Sequence, residues 1–375
     1  MSGMRFDTRL VHAGHEPSGA GDLIPPVHLS STYEHRVQET PRYFYARGEN
    51  PTREALERCL ASLEDARYAA VFATGQAAAA TAVSLLPSGH RLVCVDDLYA
   101  GTDSLFTALD IPVQYADLCD PEERDAALAG PDLGLVWLET PTNPLLKMVD
   151  IEAVRRCVAG RGVPVVVDNT LASPVLQQPL ASGADISLYS TTKFISGHGD
   201  VLGGALVYDD EGIDTRVRTH RNAVGSVPGA LDCFLVHRGL RTLSVRVARQ
   251  AQNAQAVLEV LRSSPAVDQI YYPGLPDHPQ HTLGKRQMAG PGSIISFECP
   301  AGGAGRLLDR VRLFSCAASL GGVRSLIGRP ALMTHRSLPP DVRAGRGITE
   351  SLVRLSVGIE DPRDLADDLR AALGP

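Results

Sequence analysis

The sequence predicts an α/β protein: an open, mostly parallel sheet of about seven strands, a smaller α/β domain at the C-terminus and an extended N-terminal arm. Two observations carry this expectation. From residue 69 onward, short apolar runs alternate with helical stretches, the pattern of a sheet layered with helices. The runs are continuously apolar rather than alternating in polarity, as strands buried on both faces are. At 375 residues the chain is also long enough for two domains and a large core.

Residues 1 to about 47 show little periodicity and contain "IPP", "ETPR" and several aromatics, which reads as an arm lying over another surface. In "NPTREALERCLASLEDA" a regular helix begins. Asn50 suits the cap, Pro51 the first turn, and Leu56, Leu60 and Leu63 share one face. The predicted strands are "AAVFAT", "RLVCV", "PVQYA", "LGLVWLE", "VPVVVD", "DISLYS" and "GGALVY", with helical "GQAAAATAVSLL" and "DIEAVRRCVAG" between them. One long helical stretch is expected from about Gly229 to Ser263, then strand-like "SIISFEC" and "LVRLSVG" and a final helix in "DPRDLADDLRAAL". The expected division is an arm at 1–47, a ligand-binding domain at 48–242 and a C-terminal domain at 243–375.

Composition narrows the function. Hydrophobic residues make up 44%, charged residues 21%, and the net charge is −7, so a nucleic-acid partner, which needs clustered cations, is not expected. No window approaches 18 uninterrupted apolar residues, and the N-terminus lacks a basic-then-apolar leader. The seven cysteines are widely spaced without a CxxC pair, as in a reduced cytoplasmic protein without a zinc site. "HPQH" (278–281) stands without other ligands nearby, so no metal is expected. The first strand is not followed by GxGxxG, which argues against a dinucleotide site.

In open α/β sheets ligands bind beyond the carboxyl ends of the strands, and several polar residues fall there. Gly75 and Gln76 open a helix after "VFAT", where free N–H groups favour an anion. Asp168 ends "VVVD". Tyr99 follows "RLVCV" by a few residues. Lys193, in "STTKFISGHGD", follows "DISLYS" after the hydroxyls of Ser190 and Thr192. A lysine able to form a Schiff base, a carboxylate for a pyridinium nitrogen, a stacking aromatic and a helix N-terminus with hydroxyls describe a pyridoxal 5′-phosphate (PLP) site.

From "TRLVHAG" to the last helix the chain resembles the cysteine and methionine metabolism family of PLP enzymes, which includes cystathionine γ-lyase, methionine γ-lyase and cystathionine γ-synthase. The resemblance rests on "YARGENPTR", "VDDLYAGT", "WLETPTNPLLKMVDIEA", the stretch from "VVVDNT" through "STTKFISGHGDVLGG", "YPGLPDHPQH", "SLGGVRSL", "MTHRS" and "LVRLSVGIED". It implies a fold-type I PLP-dependent transferase in which Lys193 holds the cofactor, Asp168 pairs with the ring nitrogen and Tyr99 stacks on the ring. Gly75, Gln76, Ser190 and Thr192 would hold the phosphate, joined by Tyr45 and Arg47 from a neighbouring subunit. Arg354 would clamp the substrate carboxylate, with Asn143 and Ser325 in support. Tyr99 and Tyr45 would assist proton transfer. The implied assembly is a homotetramer of two dimers with shared sites.

The expected activity is γ-elimination from an L-sulfur amino acid, releasing a thiol, 2-oxobutyrate and ammonia; the alternative is γ-replacement, as in cystathionine γ-synthase or an O-acylhomoserine sulfhydrylase. Many cystathionine-handling members carry an acid where "SLGGVRSL" has Arg324, which implies a substrate with an uncharged tail and sets methionine ahead of cystathionine. Many methionine γ-lyases carry a cysteine where "YAGT" has Gly101.

Overall fold

All seven apolar runs form strands: β1 Tyr68–Phe72, β2 Arg91–Val95, β3 Val113–Ala116, β4 Leu133–Glu139, β5 Val165–Asp168, β6 Ile186–Tyr189 and β7 Gly204–Tyr208. The computed structural model describes residues 3–17 and 20–374. The strands lie in the order β1-β7-β6-β5-β4-β2-β3, and only β7 runs against its neighbours. The fold is therefore the expected mostly parallel sheet, with its carboxyl ends gathered along one edge.

Continuous apolarity has the predicted cause. Every residue of β4 is buried, and Trp137 at its centre meets the Phe106 ring edge-on at 5.4 Å. Val165, Val166 and Val167 of β5 are fully buried, each contributing roughly 1.5–3 kcal/mol relative to exposure. The parallel arrangement needs helical crossovers, supplied by the helices Gly75–Val83, Ala100–Ala108, Pro121–Ala127 and Ile151–Cys157.

The helix Pro51–Leu63 begins as read, its Asn50 side chain accepting the N–H groups of Thr52 and Arg53. Behind it, Arg53 donates to the carbonyls of Ala46, Arg47 and Gly48, which fixes the exit of the N-terminal segment. Arg218 lies between the carboxylates of Glu49 and Glu57, and Glu57 also pairs with Arg221.

A second sheet has the order β10-β11-β12-β9-β8, with β8 Gln269–Tyr271, β9 Ile294–Glu298, β10 Ser315–Cys316, β11 Leu326–Gly328 and β12 Leu352–Ser356. The expected strands are β9 and β12. β8, β10 and β11 have two or three residues each, too few to show periodicity. The helix Pro362–Leu373 packs on this sheet through Leu365 and Leu369.

Three helical expectations need correction. The first 47 residues contain a short helix, Phe6–His12, which buries Leu10 against the helix Pro51–Leu63. A further helix, Glu211–Val224, was not anticipated, its surface being mostly polar with only Val217 and Arg221 buried. The stretch from Gly229 is two helices, Ala230–Leu240 and Leu243–Ser263. At the break, Gly239 lies against the Ser196 backbone so closely that a Cβ would come within 2.8 Å of Ser196 Cα. Arg246 there donates to the carbonyls of Phe194, Ile195 and Gly239, so the break clamps the backbone that follows Lys193.

Candidate active site

The carboxyl ends of β1, β2, β4, β5 and β6 open onto a cavity of about 370 Å³. The loop after each strand supplies its lining: Thr74 to Gln76 after β1, Tyr99 and Thr102 after β2, Glu139 and Asn143 at β4, Asp168, Thr170 and Leu171 at β5, and Ser190, Thr192 and Lys193 after β6. The second sheet contributes Ser319 and Arg354. The cavity thus joins residues 280 positions apart in sequence, Thr74 and Arg354.

Lys193 Nζ donates to Ser319 Oγ at 2.8 Å. Burial, and then the Arg354 guanidinium, push its amine down to about 8. Across the cavity floor Asp168 accepts the Thr170 N–H at 3.0 Å, and burial pushes its carboxyl up to about 6. Arg354 is buried, with Nη1 on Asn143 Oδ1 at 2.6 Å and Nη2 on the Ser319 carbonyl at 2.9 Å. Among the described residues no carboxylate lies within ion-pair distance of it, so its charge is open to an anionic ligand group.

Thr74 caps the helix Gly75–Val83 through the Ala77 N–H at 3.0 Å. The N–H groups of Gly75 and Gln76 lie in its first turn, outside the helix's own bonding. A Cβ on Gly75 would stand 3.0 Å from Ser190 Cβ, so the glycine is what lets the helix end approach the Ser190 hydroxyl. The Thr192 hydroxyl is engaged with Gly203, accepting its N–H at 3.0 Å. Tyr99 is 40% exposed over the cavity.

Four expected site residues, Ser325, Arg324, Tyr45 and Arg47, lie outside this lining. Ser325 is fully buried, with its hydroxyl on Glu360 Oε2 at 2.9 Å and accepting the Gly358 N–H at 2.8 Å. The competing Glu360 carboxylate, which also takes the Ser325 N–H, turns this serine from the cavity. Arg324 is exposed and outside the lining. From the same loop, Ala318, Ser319 and Leu320 face the site instead. Tyr45 and Arg47 are also outside the lining. Tyr45 is 46% exposed, and the Arg47 guanidinium lies 5.8 Å from its ring centroid and bonds the Asn222 carbonyl.

Sequence reasoning missed Ser319, Glu139 and Thr170. Ser319 holds a φ of +99°, a region costly for a serine, and through it one residue touches both Lys193 and Arg354. The signal for Glu139 was its place as the last residue of a strand-like run, and that for Thr170 its adjacency to Asp168.

The residue set fits PLP on its own chemistry. A buried lysine of lowered basicity, a carboxyl at the end of the neighbouring strand, an exposed aromatic and a glycine-started helix end beside a serine hydroxyl share one cavity. Among the described residues no group of three or more His, Cys, Asp or Glu side chains is arranged to hold a metal ion, and no helix is long and apolar enough to cross a membrane.

The profile of the family described as Cys/Met metabolism PLP-dependent enzyme matches residues 7–374. The chain is 62% identical to CalE6 of Micromonospora echinospora, covering 100% of both chains at a TM-score of 0.96. That protein is described there as a cystathionine γ-lyase, and in a second structure (61% identity, TM-score 0.94, full coverage) as a methionine γ-lyase. The cystathionine γ-lyase of Bos taurus is 42% identical over 98% of this chain and 93% of its own. A cystathionine γ-synthase from Xanthomonas oryzae pv. oryzae, solved in complex with cystathionine, is 41% identical, covering 99% of this chain and 98% of its own at a TM-score of 0.96.

Proposed function

The chain belongs to the Cys/Met metabolism family of PLP-dependent enzymes and is a PLP-dependent carbon–sulfur lyase of fold type I; from that premise we propose that it performs γ-elimination on an L-sulfur amino acid with an uncharged tail, methionine ahead of cystathionine. The products are a thiol, 2-oxobutyrate and ammonia. The observation that carries this reading is the composition of the cavity. Lys193, Asp168 and Arg354 meet there, while Ala318, Leu320, Leu171 and Leu202 line it and its only carboxyls are Glu139 and Asp168 at the strand ends. A tail bearing an ammonium group would find no acidic partner on that loop.

The bound cofactor supplies an electron sink for the charge left when the α-proton is removed. Lys193 is the nucleophile that holds the cofactor and the base that takes and returns protons. At pH 7 an amine with a pKa of about 8 is about one-tenth neutral, against a few parts in ten thousand at 10.5. Asp168 would pair with the ring nitrogen. Arg354, oriented by Asn143 and the Ser319 carbonyl, receives the substrate carboxylate with a planar fork of donors. Tyr99 would hold the ring plane from the cavity mouth, and with Tyr45 would supply a proton to the departing sulfur. Gly75, Gln76, Ser190 and Thr192 hold the phosphate.

The segment 1–47 is the arm that carries Tyr45 and Arg47 to a neighbour's phosphate, 48–242 the cofactor-binding domain and 243–375 the C-terminal domain. Exposed Leu23, Leu29 and Phe44 along the arm support a covered position in an assembly. We assign a homotetramer of two dimers, acting in the cytoplasm.

The likeness to a cystathionine γ-synthase supports a second reading, γ-replacement, in which a thiol intercepts the reaction before hydrolysis. The test is purified protein reconstituted with PLP and given L-methionine, L-homocysteine or L-cystathionine in parallel, measuring 2-oxobutyrate and volatile thiol. Methanethiol from methionine with slow cystathionine cleavage supports the first assignment; the reverse ranking makes the protein a cystathionine lyase. No turnover of the three, with activity on an acylhomoserine plus thiol, establishes replacement.

A further inference from the structure

Glu139 at the end of β4 stands opposite Asp168 at the end of β5 in the parallel ladder, so two carboxyl groups share the cavity floor. Glu139 is 1% exposed. Its Oε2 accepts the Tyr99 backbone N–H at 3.0 Å, whereas Oε1 is buried without a partner. Among the described residues no cation lies within ion-pair distance of either oxygen.

The two carboxyls are unequal. Asp168 has the N–H and hydroxyl of Thr170 and faces the Lys193 amine. Glu139 accepts only the Tyr99 backbone N–H, and it faces Asp97 as well as Asp168. The Arg354 guanidinium feels Glu139, but the hydrogen bonds it donates go to Asn143 Oδ1 and the Ser319 carbonyl, not to Glu139. Adjacent carboxylates in a dry site do not both ionise, and the proton rests on the less supported one. Burial, Asp168 and Asp97 together push the Glu139 carboxyl well above the usual carboxylate range.

We propose that Glu139 stands in this site as a neutral carboxylic acid, a positioning residue that fixes the Tyr99 backbone through Oε2 and leaves Asp168 as the only negative charge on the cavity floor. A second consequence, which rests on the function proposed above, is that Arg354 keeps no standing counter-ion to compete with a substrate carboxylate. An ionised Glu139 would be that competitor.

The test is infrared spectroscopy of the cofactor-free and reconstituted protein at neutral pH, with glutamate side chains carrying a ¹³C-labelled carboxyl. The expected result is a protonated-acid C=O band that moves with the label, is lost in Glu139→Gln and survives in Asp168→Asn. Absence of a label-sensitive acid band from the wild-type protein overturns the proposal, and this measurement needs no variant to fold. A second readout is the pH titration of the cofactor's visible absorption. Glu139→Gln, whose amide can still accept from Tyr99, should move its midpoint by less than about half a unit, and Glu139→Leu should raise KM at least severalfold. A shift of about one unit or more in Glu139→Gln reveals a lost negative charge and also overturns the proposal. The band in cofactor-free protein is independent of which amino acid the enzyme cleaves, so a failed substrate assignment leaves this test intact.

Discussion

The Tyr99 ring occupies the space that a side chain at Gly101 would need. A Cβ there would lie 2.7 Å from Tyr99 Cζ, closer still to Cε1, and 2.5 Å from Gln76 Nε2. Contacts that short force something to move, and the movable group is the exposed ring over the cavity. Gly101→Ala should therefore tilt Tyr99, weaken PLP retention roughly tenfold and change the visible absorption of the bound cofactor. Unchanged cofactor affinity and spectrum would show that the ring has room to spare.

The lowered basicity of Lys193 predicts a pH dependence of reconstitution. The neutral amine is the nucleophile, so the rate at which cofactor-free protein develops its visible band should rise with pH through about 8 and then level off. An ordinary lysine would keep rising to beyond pH 10. Lys193→Ala should abolish the covalent band and lower activity by about 10³-fold or more.

Arg354 and Asn143 test the carboxylate clamp. Arg354→Lys keeps the charge and loses the planar fork, so KM should rise about 30-fold, the equivalent of about 2 kcal/mol, with a smaller change in kcat. Asn143→Ala frees one side of the guanidinium and should raise KM by less. A fall confined to kcat would place Arg354 in the chemistry rather than in binding.

Most of the large sheet was legible because its strands are buried on both faces, which writes them as apolar runs, and because the parallel ladder puts each run's last residues on one edge. That rule reached Asp168, Tyr99 and Lys193, and followed consistently it would have reached Glu139. The loop of the second sheet was not legible. "SLGGVRSL" offers two serines, and which one faces the cavity depends on the positive φ at Ser319 and on Glu360, 35 residues beyond Ser325. No local pattern encodes a partner that distant. The helix break at Arg241 was hidden for the same reason, since the crowding comes from Ser196.

That difference between the two serines is itself testable. Ser319→Ala removes the acceptor of Lys193 and should lower kcat several-fold and shift the reconstitution profile. Ser325→Ala removes hydroxyl bonds to Glu360 and Gly358 and should cost about 1–2 kcal/mol of stability, read as a lower Tm, with kcat nearly unchanged. Arg324→Glu, on the exposed side of the loop, should leave the methionine-to-cystathionine preference within about twofold.

The last prediction concerns the arm. Arg53 is 2% exposed and holds three successive carbonyls behind Tyr45 and Arg47, so those two side chains project from a fixed turn. Arg47 itself makes one bond, to a carbonyl at the end of the helix Glu211–Val224, and an exposed contact of that kind contributes little to folding. If Arg47 serves a neighbour's phosphate, Arg47→Ala should raise the PLP dissociation constant about tenfold or more, as loss of a charge-assisted bond does, while the Tm without cofactor stays near wild type. Mixing Arg47→Ala with Lys193→Ala subunits sharpens the test. Sharing of sites between subunits predicts that mixed dimers regain one site with both residues intact, and so partial activity. At limiting PLP, a mixture no more active than the average of its two parents would show that Arg47 and Lys193 serve the same subunit's cofactor.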